Sequence, residues 1–298
     1  MKIGDEDKKR TNKHFFNAVK KDATEKFGRE HQDSIEQYMS YWTKTEERNR
    51  QLLCGFMERV DTPLRGKRVL DVGSGTAGLS RVISNEGGYY VGLDYYAGIM
   101  TLANAFIQDL EHSRQVSLVR ASAHVLPFQN ESFDYVVAFD AVEHLSGGEK
   151  WQLSFFQETR RVLKDEGIFL LTTPNWLAPK EGHTFLFGPQ YLPTWLADIY
   201  IAWRSPGFLK EHGSYANIHL LTPWRLQSLL RKAGLALLHN LPWCMEFEDY
   251  PPMGRAFYRV LSLFNLHWCP VTGFWCAVVK KEMVQALRPR VGKQWLRN

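Results

Sequence analysis

Apolar residues along this 298-residue chain follow two rhythms. Continuous apolar runs at 68–72, 89–94, 117–121, 132–139 and 167–175 read as strands buried on both faces, because such strands need no polar alternation. Between them lie stretches with helical spacing, at 76–84 and in the segment that closes with Arg161, Val162, Leu163 and Lys164. Strands that alternate with helices predict βαβ units and a doubly wound, mainly parallel α/β sheet. Ahead of this core, Ile35, Tyr38, Met39, Trp42, Leu52, Leu53, Phe56 and Val60 recur at mainly helical spacing, which predicts one or two helices. Residues 1–30 are charged and read as helical or loosely ordered.

After residue 175 the rhythm breaks. Residues 176–218 and 242–271 are long, aromatic-rich segments that read as insertions. Between them, Thr222 as N-cap, Pro223 at the first helical position and Gly234 after Lys232 bracket a helix. A sixth strand at 235–239 and a seventh at 273–280 complete the expected sheet of seven. The organisation expected is a helical extension over 1–63, a core over 64–281 carrying both insertions, and a basic tail over 282–298.

The most chemical segment joins the first strand to the first helix: Asp71, Val72, Gly73, Ser74, Gly75, Thr76, Ala77, Gly78. Small residues let a ligand approach the backbone, and the helix start points its N–H groups at negative charge. Asp71 argues against a dinucleotide, since a carboxylate there repels a dianionic pyrophosphate. It suits a ligand with a cationic end. Asp94 ends the second strand about 20 residues beyond the glycine turn, where a carboxylate can accept from both hydroxyls of a ribose.

These residues resemble the first motif of class I S-adenosylmethionine-dependent methyltransferases, with Ala77-Gly78 where the third glycine would fall one residue earlier. The resemblance covers 68–175 and is nearest the ubiquinone/menaquinone-pathway and general small-molecule group. It implies a Rossmann-like methyltransferase fold, the last strand antiparallel, and S-adenosylmethionine as cofactor. The implied cofactor-binding residues are Asp71, Gly73, Ser74, Gly75, Asp94, Tyr95, Ser122 and Ala123, with Ser122 standing where the family often has an acid. Tyr38, Tyr41 and Trp42 are candidates for a lid over the cofactor, and core packing of an added helix is the alternative.

Methyl transfer to a hydroxyl needs a base, and Glu143 and His144 follow the fourth strand, where the acceptor is expected. Asp140-x-x-Glu143-His144 is similar to the Glu-x-x-Glu-His of ubiquinone-pathway O-methyltransferases, with Asp140 replacing the first Glu. No metal is assigned, and helix capping is the competing role for the pair. His183 and His219 are secondary base candidates. The expected activity is methyl transfer to an oxygen of a small aromatic or lipid-linked molecule. The alternatives are N-, C- or sugar methylation and, in another class, a nicotinamide oxidoreductase.

Composition adjusts this picture modestly. At 44% hydrophobic the chain can bury a sizeable core. Cys54, Cys244, Cys269 and Cys276 show no framework spacing and read as reduced thiols of a cytoplasmic protein. The charged first residues do not read as a secretory signal, and no run suits a membrane span. The net charge of +5 is concentrated at the end, where six basic residues from Lys280 onward face Glu282 alone. That cluster is open to contact with anionic lipid. The aromatic insertions are open to a membrane surface or a homodimer interface, and nothing in the chain has the basic-aromatic signature of a nucleic-acid partner.

Overall fold

A computed structural model describes residues 13–28, 32–60, 63–238 and 273–288. The seven strands are β1 Arg68–Val72, β2 Tyr89–Asp94, β3 Val116–Arg120, β4 Phe133–Phe139, β5 Leu163–Pro174, β6 Leu235–Leu237 and β7 Gly273–Lys280. They form one sheet in the order β3-β2-β1-β4-β5-β7-β6. The doubly wound, seven-stranded architecture expected from the sequence is the one found. The chain divides into two compact units, and β4 passes from the first (residues 132–136) into the second (from residue 137).

In the first unit β1 pairs with β2 and β2 with β3, all parallel, so the three chain ends emerge on one side. Val69, Leu70, Val72 and Leu93 are buried, as the unbroken apolar runs require. Helices α1 (Lys13–Phe27), α2 (Gln32–Val60), α3 (Leu79–Asn85) and α4 (Ala97–Gln108) flank these strands. The N-terminal pattern is thus a short helix followed by one long one. Phe15 and Val19 of α1 meet Trp42 of α2 and Phe106 of α4 in a single apolar cluster. Helix α3 starts three residues later than the periodicity suggests, because residues 76–78 complete a turn in which Ala77 has φ +60°.

The second unit holds the rest of the sheet. β7 runs antiparallel to both β5 and β6, so the antiparallel closing strand is as expected. Helix α5 (Gly148–Val162) precedes β5, and β5 starts at Leu163, earlier than its apolar run, because its first residues are polar and at the sheet end. The insertion after β5 forms α6 (Thr194–Arg204) and α7 (Pro206–His212), and α8 (Pro223–Lys232) follows. Ala197 and Ile201 of α6 pack on Phe208, Tyr215 and Ile218. The second insertion, 242–271, lies outside the described residues, as do Cys244, Cys269 and the chain beyond 288.

Charged pairs fasten strand and helix ends within the second unit. Arg161 at the end of α5 donates to the carbonyls of Leu126 (2.9 Å) and Phe128 (2.6 Å), and to Glu158. Lys280, counted above with the basic end, does not belong to an open cluster. It is buried at the end of β7, where its Nζ donates to Asp165 at 2.8 Å and to Glu131 at 3.2 Å.

Thr222 caps α8 as the sequence implies, its Oγ1 accepting from the Arg225 N–H at 3.2 Å. Replacing Thr222 by Ala is expected to lower stability by about 1 kcal/mol, read as a shift in the urea midpoint, with Thr222→Ser near wild type.

Candidate functional site

In the first unit, β1 delivers Asp71 and then the turn. Backbone φ is +73° at Gly73 and +52° at Gly75, values that favour glycine. Ala77, also left-handed, takes on roughly 1 kcal/mol of strain. The turn is pinned to the end of β2. The N–H groups of Gly73 and Ser74 donate to the Leu93 carbonyl at 2.8 and 3.0 Å. The Gly75 N–H donates to Asp94 Oδ2 at 3.1 Å, and the Tyr96 N–H to Oδ1 at 3.0 Å. Asp94 is therefore held in one direction by a backbone amide on each oxygen, and each oxygen can take a further donor.

Asp71 is buried, and the Tyr90 hydroxyl donates to its Oδ2 at 2.7 Å. Burial pushes this carboxyl up to about 7; the Tyr90 bond opposes the rise and the Asp94 charge adds to it. Tyr90 reaches Asp71 because Gly92 is its neighbour. Gly92 pairs with Asp71 across the β1–β2 ladder, and a Cβ there would lie 2.9 Å from the Tyr90 ring. Sequence reasoning passed over Tyr90, although alternation puts residues 90 and 92 on one face of β2, diagonal and opposite to Asp71.

Helix α2 stands close to the turn. A Cβ at Gly78 would lie 3.1 Å from Glu46 Cγ, and one at Gly75 3.8 Å from the Trp42 ring. Of the lid candidates, Trp42 belongs to the apolar cluster and Tyr38 is tied to α1, donating to Asp22 (2.7 Å) and accepting from Lys26 (2.8 Å). Tyr41 is exposed, as are the rings of Tyr95 and Tyr96. Ser122 and Ala123 follow β3, both half-buried.

The second unit contains a separate titratable cluster after β4. Asp140, at φ +50°, donates its N–H to Thr172 O at 3.0 Å, and Thr172 Oγ1 returns a bond to Asp140 Oδ1 at 2.9 Å. This turn projects the short helical segment Val142–His144. Glu143 is fully buried: Thr173 Oγ1 donates to its Oε2 at 3.0 Å, and its Oε1 faces His183 Nε2 at 3.4 Å. His183 Nδ1 lies 2.9 Å from Glu181 Oε1, and its Nε2 lies 3.2 Å from His144 Nε2. His144 is exposed, edge-on to His183 and stacked on His212 at 5.4 Å.

Burial alone would lower His183, but the Glu143 and Glu181 carboxylates outweigh it and hold the imidazole up at about 10. Burial would likewise raise Glu181, yet the His183 side chain and the backbone N–H groups of His183 and Thr184 bring it down to about 2. His183 is thus an imidazolium at neutral pH, clamped between two acids. Glu143, His144 and His183 each offer one ligand atom, all within 4.8 Å of one another. A metal ion bound there would have to displace the His183 proton. His219 contributes through its backbone: its N–H donates to Glu143 O at 2.8 Å. Glu181 and His212 went unread in the sequence, because the insertion that carries them has no periodic signal.

Residues 70–171 match the family model described as a methyltransferase domain. A ubiquinone biosynthesis O-methyltransferase of Ruegeria sp. (strain TM1040) is 27% identical over 177 residues, 59% of this chain and 63% of that protein. An uncharacterized methyltransferase of Mycolicibacterium gilvum (strain PYR-GCK) is 34% identical over 122 residues, 41% of this chain and 45% of that protein. The chain therefore spans less than two thirds of the length of these relatives. A solved S-adenosylmethionine-dependent methyltransferase from Mesorhizobium loti shares the fold with a TM-score of 0.50 at 16% identity, over 75% of this chain and 95% of that one. The methyltransferase-domain match implies S-adenosylmethionine as the methyl donor, as the glycine turn suggested.

Asp71 generates a signed prediction. Its proton is retained in the folded state up to about pH 7 but is lost from the unfolded chain near the ordinary carboxyl value of 3.8. Stability contributed by the protonated form is complete at low pH and is lost as pH rises to about 7. Asp71→Asn is expected to stabilise the protein by roughly 2–4 kcal/mol at pH 8 and by little at pH 4, while weakening S-adenosylmethionine binding. Denaturant melts at the two pH values and titration calorimetry check both arms.

Proposed function

We propose, for a chain whose residues 70–171 carry a methyltransferase domain of the class I type, that it moves the methyl group of S-adenosylmethionine to an oxygen of a small aromatic or lipid-linked acceptor. The observation that carries this reading is the placement of Asp71 and Asp94 near and at the ends of neighbouring strands around a turn of left-handed glycines. Asp94, oriented by Gly75 and Tyr96, fits a ribose diol. Asp71, a buried acid with no cation against it among the described residues, fits the ammonium and sulfonium end. Gly73, Ser74 and Gly75 offer close backbone approach, and Tyr95, Ser122 and Ala123 complete the proposed cofactor set.

Bound there, S-adenosylmethionine supplies a methyl carbon made electrophilic by its sulfonium, so the chain's own residues need only place the acceptor and take its proton. We assign that proton to His144, oriented by the buried cluster behind it. His183 donates Nδ1–H to Glu181 and turns Nε2–H toward His144 Nε2 and Glu143. A further proton entering this pair meets the imidazolium charge of His183. Uptake becomes favourable only as His183 gives up its own proton. The oxygen preference follows from this provision for a base, which a hydroxyl acceptor requires and a neutral amine does not. The O-methyltransferase named among the relatives supports the same preference.

Two measurements test the reading. Turnover is expected to rise with pH toward about 10, the value to which His183 is held, and His183→Gln should move the midpoint down. A profile indifferent to that substitution, or wild-type turnover in His144→Ala, disconnects the pair from the reaction. Separately, purified protein with radiolabelled methyl donor should label phenolic or catecholic hydroxyls; label on amines alone overturns the oxygen assignment.

A further inference from the structure

The insertion after β5 carries an apolar surface that the methyl-transfer reading does not use. Eight of the fifteen large apolar side chains exposed among the described residues fall within residues 176–203. On α6, Trp195, Ile199 and Trp203 are 66%, 60% and 76% exposed. Their spacing of four residues keeps them on one narrow stripe of the helix. The opposite side is already apolar and buried, with Ala197 and Ile201 packed on Phe208, Tyr215 and Ile218. A helix apolar on both sides needs a second apolar neighbour, and an ordinary surface helix has no use for one. Leu186 packs with the buried side, while Phe185 and Phe187 around it in sequence stay exposed at 69% and 70%.

The exposed bases of the insertion point to the occupant. Its acids are Glu181, Asp198 and Glu211. Glu181 is buried against His183, and Asp198 is spent on Ser214 Oγ and the Tyr215 N–H, both at 2.8 Å. The bases Lys180, Arg204 and Lys210 are exposed. Arg204 lies 5.3 Å from the centre of the Trp203 ring, and Lys180 5.7 Å from that of Phe185. Tryptophan and aromatic–cation pairs suit the headgroup boundary, where one end is apolar and the other meets phosphate.

We propose that the Trp195–Ile199–Trp203 stripe, with Lys180, Arg204 and Lys210, docks the protein on the surface of an anionic lipid bilayer. Docking is peripheral, since among the described residues no helix is long and apolar enough to cross a membrane. The proposal stands apart from the methyl-transfer reading, because binding is measured without cofactor or acceptor.

The experiment is sedimentation of the full chain with vesicles of phosphatidylcholine alone and of phosphatidylcholine mixed with phosphatidylglycerol. The protein should pellet with the mixed vesicles and weakly or not at all with the neutral ones. Trp195→Gln/Ile199→Gln/Trp203→Gln should lower the partition coefficient by about tenfold or more, with an unaltered unfolding midpoint because all three side chains are outside. Arg204→Gln/Lys210→Gln, which keeps the stripe, should lower it by about tenfold on the anionic vesicles alone. No pelleting with mixed vesicles overturns the proposal. Wild-type partition by the triple variant also overturns it and assigns binding elsewhere, for example to the basic end of the chain. A solution dimer that the triple variant dissociates, without vesicle binding, overturns it in favour of a second copy.

Discussion

A carboxylate buried beside a second carboxylate is the constraint on which the first unit depends. Taking a charge out of water is expensive, and the cost is met either by a proton or by a cation. Asp71 has the Tyr90 hydroxyl as its hydrogen-bond donor, which softens the penalty without neutralising it. The glycine turn, the missing side chain at Gly92 and the anchoring of Asp94 all follow from assembling this acidic strand-end region with backbone donors close by. A polar hydroxyl keeps the acid hydrogen-bonded, and left-handed glycines shape the turn beside it.

The second unit solves the opposite problem. There the buried charge is an imidazolium, and two carboxylates surround it. The arrangement fixes which ring nitrogen of His183 points where, and so fixes the side from which His144 is approached. Glu143 is the hidden member: its side chain never reaches solvent, but its backbone carbonyl holds His219 and its carboxylate holds His183.

Most of the framework was legible because a parallel sheet covered on both faces writes itself as apolar runs. The runs at 68–72 and 89–94 match strands residue for residue, and the Thr222–Pro223 start of α8 is spelled out by its cap. What escaped was tertiary. Tyr90 read as one more apolar strand residue, since nothing local signals that Gly92 clears a path to Asp71. Glu181 and His212 sit in a stretch without periodicity, where only folding brings them beside His144. Lys280 was counted with the basic end because charge density along a sequence cannot distinguish a solvated ammonium from one enclosed by Asp165 and Glu131. Tyr95 after β2, and Ser122 and Ala123 after β3, follow from the order of the apolar runs alone.

The charged pairs of both units are sorted along the strands. At the ends remote from the glycine turn, and from Glu143 in the second unit, lysine or arginine meets carboxylate: Lys67 with Asp134, Arg161 with Glu158, Lys280 with Asp165. At the other ends stand Asp71, raised to about 7, and His183, raised to about 10. Within each unit the titrating group and the fixed ion pair thus stand at opposite strand ends, so a shift in medium acts first where Asp71 or His183 lies.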